Sequence, residues 1–159
     1  MSISTADLSD NHPEKVRAAA PLFGDFGGNK NFFGEIVTLK IFEDNSFVRK
    51  ALETDGKNKV LVVDGGGSMR CALLGDLLAA LAVKNNWEGI VINGCIRDSV
   101  AISKLPLGVK ALGKHPLKTI KRNEGQENIS VTFAGVDFFP GYFLYADEDG
   151  ILVTAEKLQ

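Results

Sequence analysis

Histidine, cysteine and net charge are all scarce in this 159-residue sequence, and each shortage removes a class of function. The two cysteines, Cys71 and Cys95, stand in apolar surroundings with no Cys-x-x-Cys or Cys/His spacing. That argues against a structural zinc site and predicts two reduced, buried thiols in a cytosolic protein. His12 lies in a polar N-terminal stretch and His115 precedes a proline, so the two histidines make no metal-spaced pair. A net charge of −2 and a pI of about 5.7 leave no electrostatic footprint for nucleic acid. Direct binding of RNA or DNA is therefore not expected, whereas binding to a protein that handles RNA stays open. No apolar run approaches the roughly 20 residues that span a bilayer. The first ten residues are polar and acidic, unlike a signal peptide. The expectation is a soluble, cytoplasmic protein with no membrane partner. Gly-x-Ser-x-Gly elbows and P-loops are missing as well.

What is present is enough apolar residue, 45%, for one core, and 17 glycines, which imply tight turns or close backbone approaches. No repeat or linker divides the chain, so a single domain over 1–159 is expected, with residues 1–20 as a helical segment packing on it. Ser4 to Asp7 caps one short helix and Glu14 to Ala20 suggests another. Gly24 to Phe33 reads as a loop. Glu35 to Ile41 alternates as a strand, and Asp44-Asn45-Ser46 offers a cap to a helix through Leu52. Lys59 to Val63 is a continuous apolar run, the mark of a strand buried on both faces. Ser68 to Lys84 has a helical apolar face interrupted at Gly75, where one helix can stop and another begin. Gly89 to Ile92 is a second buried strand, so Val60 to Ile92 predicts a parallel, right-handed strand–helix–strand unit. A short helix (Val100 to Leu105) and a strand near Val109 follow. Beyond Pro116 only strands and hairpins are expected: Ile129 to Phe133, Val136 to Phe139 and Tyr142 to Thr154, with turns at Ala134-Gly135 and Asp149-Gly150.

Three segments carry candidate chemistry. Asp64-Gly65-Gly66-Gly67-Ser68 sits between a strand and a helical pattern and is either an anion site or a tight turn. In Leu74-Gly75-Asp76-Leu77-Leu78, a helix starting at Gly75 would expose the amides of Gly75 to Leu78 to a carboxylate, with Asp76 at the rim. Arg97-Asp98 closes the second buried strand, where open α/β sheets gather ligands. The pair can share a site only if the strand has ended by then, which Gly94 would allow. Two carboxylates can hold a hard divalent ion, and an arginine with backbone amides can hold a carboxylate and an enolate oxygen. Weaker candidates are Lys59 as a Schiff-base lysine, and Trp87 and Phe138-Phe139 as packing. The Asp147-Glu148-Asp149-Gly150 run reads as a solvated turn that could lend an acid to a neighbouring subunit.

Nearly the whole chain, from Pro21-Leu22 to Leu158, resembles the RraA-like family, which includes class II 4-hydroxy-4-methyl-2-oxoglutarate aldolases and regulators of ribonuclease activity. The likeness rests on Val62-Val63-Asp64-Gly65-Gly66-Gly67-Ser68, Trp87-Glu88-Gly89, Gly94-Cys95-Ile96-Arg97, Gly135-Val136 and Tyr145-Ala146-Asp147. The resemblance implies an α/β fold, a three-layer β/β/α sandwich of the swivelling type, assembled as a homotrimer. It implies Mg²⁺- or Mn²⁺-dependent cleavage of a small 2-oxo acid to two pyruvates, with oxaloacetate decarboxylation on the side. The family pattern of an Asp, twenty residues and Arg-Asp falls on Asp76, Arg97 and Asp98. By that match Asp98 ligates the metal, Arg97 stabilises the enolate, and Asp76 orders the water that takes the proton. Gly75, Asp76, Leu77 and Leu78 take the substrate carboxylate. Where aldolase members often carry an acid three residues after the Asp, this chain has Ala101, and it lacks the C-terminal extension of longer aldolases. The alternative implied function is a non-catalytic inhibitor of an RNA-degrading endonuclease of the RNase E type. Phe42-Glu43-Asp44-Asn45 resembles that regulator branch, whereas the complete Asp/Arg-Asp set favours chemistry.

Overall fold

In the computed structural model, which describes residues 2–158, helices cover one face of a curled sheet and a β-hairpin covers the other. The elements run α1 (Thr5–Asn11), β1 (Val16–Ala18), β2 (Gly24–Asp25), β3 (Phe32–Lys40), α2 (Ser46–Leu52), β4 (Lys59–Asp64), β5 (Ala72–Leu74), α3 (Asp76–Lys84) and β6 (Gly89–Ile96). There follow α4 (Ser99–Ile102), β7 (Gly108–Lys114), β8 (Gln126–Glu127), β9 (Val131–Phe133), β10 (Val136–Phe138), β11 (Phe143–Asp147) and β12 (Gly150–Thr154). The main sheet has the order β1-β12-β11-β3-β4-β6-β7-β2. Its centre, β3-β4-β6-β7, is parallel, and its flanks are antiparallel. This is the layered α/β architecture expected. No helix among the described residues is long and apolar enough to cross a bilayer.

The layering follows from the period-2 geometry of the central strands. Leu61 and Val63 of β4 pack with Val48 and Leu52 of α2 and Leu78, Ala79 and Ala82 of α3. Val60 and Val62, one residue out of phase, pack instead with Val131, Phe133, Val136 and Phe138 of the hairpin. A strand covered on both sides needs apolar residues at every position, hence the unbroken Val60 to Val63 run. A third cluster, Ile3, Leu8, Tyr145 and Leu152, docks α1 on the outer side of β11-β12. Thr5 anchors that helix through its amide and hydroxyl, which donate to the Asp147 carboxylate at 2.8 and 2.7 Å. Trp87 and Phe138 are buried in packing, and Phe139 is half-exposed.

Several local expectations gave way to sheet pairing. The helical pattern at Glu14 to Ala20 contains a strand instead, with Val16 to Ala18 paired antiparallel to Thr154 to Leu152. The segment expected as a loop, Gly24 to Phe33, holds β2 and the start of β3. The helix starting at Val100 is shorter, ending at Ile102. Most consequential, Ala72 to Leu74 is a strand and not helix. β4 stops opposite Asn93, while β6 runs on past Gly94 to Ile96. The exposed edge of β6 would leave buried backbone groups unpaired, and β5 fills it, with Ala72 opposite Cys95 and Leu74 opposite Ile96.

One buried charge ties the sheet's ends together. Lys110 of β7, 2% exposed, donates to Asp25 at 3.0 Å and to the Asp147 carbonyl at 2.6 Å. It thereby links β2 and β7 to the end of β11. Removing one partner of a buried pair strands the other charge. Lys110→Met is expected to cost about 3 kcal/mol, read as a lower urea midpoint, with part of the loss recovered in Lys110→Met/Asp25→Leu.

Candidate active site

The C-terminal edge of the parallel strands brings Asp76, Arg97 and Asp98 to one pocket of about 110 Å³. Gly75 is the N-cap of α3, in an extended conformation (φ −119°, ψ −172°). The glycine that would weaken a helix interior thus lies before the first turn. A Cβ there would stand 2.9 Å from Asp98 Oδ2 and 3.5 Å from Arg97 Nε, so the close approach of these side chains requires glycine. β6 delivers Arg97 while still paired: its amide donates to the Leu74 carbonyl at 2.9 Å. The turn that puts Asp98 in the same site comes from Asp98 itself, in the left-handed region at φ 55°, and not from Gly94.

Asp98 Oδ2 accepts the Asp76 amide at 3.0 Å, so the carboxylate from one strand end caps the helix after another. That amide is the main reason the Asp98 carboxyl lies below its usual range; slight burial opposes it, and the Asp76 side chain and Arg97 add to the lowering. The next two amides of the helix, Leu77 and Leu78, have no acceptor among the described residues. They remain open to an anion at the positive end of α3. The Arg97 guanidinium is steadied by the Pro116 carbonyl, 3.3 Å from Nη1.

The pocket has a second wall, supplied by Asn45 and Arg49 near α2 and by Lys118 and Lys121 in the segment after β7. Asn45 belonged to the expected helix cap, whereas Arg49, Lys118 and Lys121 carried no motif in the sequence; the only hint of them was the basic run from Lys118 to Arg122. Their backbone is fastened by the buried Asp44, which accepts the Arg122 and Glu124 amides at 2.8 and 3.2 Å. Thr119, also buried, donates to Asn45 Oδ1 at 2.8 Å, and the Ala72 amide donates to the Leu117 carbonyl at 2.7 Å. Burial alone would push the Asp44 carboxyl up, but the Ser46 hydroxyl and amide and the Arg122 and Glu124 amides outweigh it, bringing it down to about 2.

The other candidates lie apart from this pocket. In the glycine loop the amides of Gly65 and Gly67 donate to the Asn93 carbonyl and that of Gly66 to Asp64 Oδ1. Satisfied internally, they make it a tight turn. Lys59 starts its strand, at the opposite end of the sheet from the site, and the buried lysine is Lys110, whose ammonium is bound. Asp147 is engaged by Thr5 and by the Asp149 amide. Cys71 and Cys95 are free and buried, and burial pushes both thiols up.

Residues 5–153 match the family described as RraA-like: Aldolase/RraA. The chain belongs to the RraA-like family. A relative from Aromatoleum aromaticum, named "Putative 4-hydroxy-4-methyl-2-oxoglutarate aldolase", is 58% identical over 158 residues, covering 99% of each chain. Two solved structures superpose with a TM-score of 0.96 at 44% identity. One is the RNA-processing inhibitor RraA from Thermus thermophilis, covering 100% of this chain and 96% of that one. The other, from Geobacillus kaustophilus, is named S-adenosylmethionine: 2-dimethylmenaquinone methyltransferase, with coverage of 98% and 97%. Equal likeness to proteins named so differently means the fold does not choose among activities.

The folded-state value for Asp44 lies below the usual 3.8, so its stabilisation is present above about pH 4 and is lost as pH falls through about 2. Asp44→Asn is expected to lower stability at pH 7 by about 2 kcal/mol and to leave little difference from the parent at pH 2. Urea melts at both pH values measure this.

Proposed function

We propose that this RraA-like protein cleaves 4-hydroxy-4-methyl-2-oxoglutarate to two pyruvates by a divalent-metal-dependent retro-aldol reaction, with oxaloacetate decarboxylation as a side activity. The observation that carries the reading is the meeting of Asp76, Arg97 and Asp98 with the open amides of α3 in one pocket. The aldolase name of close relatives supports it.

The donor set suits a hard ion. Asp98 and Asp76 offer carboxylate oxygens, and no group of three or more metal-type side chains occurs among the described residues. Mg²⁺ or Mn²⁺, which keeps water and substrate oxygens as ligands, fits such a sparse set better than zinc does. Asp98 would hold the ion, with Asp76 beside it. When bound, the ion polarises the carboxylate and ketone oxygens of the 2-oxo acid.

The chain's own residues supply the rest. The Leu77 and Leu78 amides receive the carboxylate next to the ketone. Asp76 accepts, through a water, the proton leaving the 4-hydroxyl. As the C3–C4 bond breaks, C4 becomes the ketone of one pyruvate and the electron pair passes to the enolate of the other. Arg97, held by the Pro116 carbonyl, faces the charge that develops on the former ketone oxygen. Protonation of the enolate at C3 completes the second pyruvate. Loss of carbon dioxide from oxaloacetate leaves the same enolate, so one site serves both reactions. Ala101, exposed on α4, adds no acid here, and Asp76 carries the water-ordering role alone. Leu77 at the pocket and Val100 on α4, 76% and 69% exposed, suit burial by a neighbouring copy in a homotrimeric ring.

A second reading is inhibition of an RNA-degrading endonuclease of the RNase E type by protein contact. The likeness to the Thermus thermophilis inhibitor favours it. It requires no use of the Asp98 carboxylate, and the two roles can coexist on different surfaces.

Pyruvate release from both substrates is expected with Mg²⁺ or Mn²⁺ and to vanish with chelator and in Asp98→Ala. Arg97→Lys should lose roughly 10²–10³-fold in kcat. Activity that survives Asp98→Ala overturns the reading. Gly75→Ala, which crowds Asp98 Oδ2, should lower kcat/KM by about ten-fold or more with little change in melting temperature.

A further inference from the structure

The chemistry just described leaves unused a group of sulfur atoms beyond the end of β4. There the sheet narrows to β5, β6 and β7, with Cys95 of β6 opposite Ala72 on one side and Gly113 on the other. Ile92 and Ile96 of β6 pack toward the helices and Val91 toward the hairpin, whereas Cys95 belongs to neither core. Its neighbour is the side chain of Met69. The Cys95 thiol, 0% exposed, donates to Met69 Sδ at 3.5 Å, while Met69 is 53% exposed. A Cβ on Gly113 would stand 3.2 Å from Met69 Cε and 3.9 Å from Cys95 Sγ, so a glycine there gives the two sulfurs their room.

The chain around Met69 is held in place. Ser68 before it and Arg70 after it both bind Glu43 Oε2, at 2.5 and 2.7 Å. A third sulfur lies near: Cys71, buried, directly precedes Ala72, the residue opposite Cys95. Two thiols and a thioether are thus brought together from the loop before β5 and from β6, with Met69 reaching solvent.

Thiolate and thioether sulfur are soft donors and select soft ions such as Cu(I), whereas the carboxylates of Asp76 and Asp98 suit a hard one. A structural zinc would ask for four ligands, more than this group offers. Two sulfurs sharing a metal through bonds of about 2.3 Å lie roughly 3.8 to 4.6 Å apart. A small outward movement of the half-exposed Met69 brings the 3.5 Å pair to that separation.

We propose that Cys95, Met69 and Cys71 form a binding site for a soft monovalent metal ion of the Cu(I) type, separate from the carboxylate pocket and independent of the reaction carried out there. Binding breaks the S–H bonds of the two thiols and forms S–Cu bonds, the protons passing to solvent. Met69 gives a lone pair and keeps its methyl group, and no atom changes oxidation state. The exposed thioether meets the ion first and hands it to the buried thiols.

Anaerobic titration of the reduced protein with Cu(I), in competition with bicinchoninate, tests the site. One equivalent per chain is expected, with an ultraviolet thiolate-to-copper charge-transfer band and no displacement by excess Mg²⁺. Changes merely around a metal's ligands cost about 10–100-fold in affinity, so Cys95→Ser, Cys71→Ser and Met69→Leu should each weaken binding by at least about ten-fold. Met69→Leu, at an exposed position, keeps the apolar cover of Cys95 and is expected to leave the melting temperature unchanged, which separates a lost ligand from a lost fold. Asp98→Ala should bind Cu(I) as the parent does. Failure of the parent to hold Cu(I) against the competitor, undiminished affinity in any of the three sulfur variants, or loss of binding in Asp98→Ala overturns the site.

Discussion

The hydrogen bond from the Asp76 amide to the Asp98 carboxylate is the constraint on which the site depends. It joins the corner after β5 to the corner after β6, so two strand ends share one pocket. Three conditions make it possible. Asp98 adopts a left-handed conformation that swings its side chain back, Gly75 leaves the space empty, and β5 occupies the edge of β6 that β4 has abandoned. A side chain at Gly75 or a β6 ending at Gly94 would separate the two carboxylates.

That bond also sets the local electrostatics. Asp98 takes the first amide of α3 and is thereby held in its charged form, while the next two amides stay open. A carboxylate capping a helix and an open anion site on the same helix would compete if they used the same donors. Here the donors are divided, so anion and hard cation can be placed side by side. Around this centre, Asp44 and Lys110 play comparable roles at different places, each a buried charge satisfied from several elements. Asp44 fastens the basic segment after β7 to α2, and Lys110 joins the β7 side of the sheet to the β11-β12 turn.

The family's likenesses sharpen what fold can and cannot say. The same backbone underlies proteins named as an RNA-processing inhibitor and as a methyltransferase at equal similarity to this chain. What separates the readings is side-chain chemistry on the strand ends: two carboxylates, a guanidinium and open amides suit enolate chemistry on a small acid. A protein-contact role would draw on surface instead.

Read alone, the sequence settled those features that depend on local pattern. Unbroken apolar runs at Val60 to Val63 and Gly89 to Ile92 identified strands covered on both faces, and the Asp76 to Arg97-Asp98 spacing, with the family likeness, pointed to the pocket. Neither Ala72 to Leu74 nor Val16 to Ala18 could be read as strand, because their helix-like patterns were overridden by unpaired edges of β6 and β12. Arg49, Lys118 and Lys121 were invisible for a related reason: each is an ordinary surface cation until Asp44 and Thr119 bring α2 and the segment after β7 to the same rim. Periodicity records which side a residue buries, and so it determined the layers; only the tertiary structure decided the site's second wall, because backbone pairing and buried charge act between segments far apart in the chain.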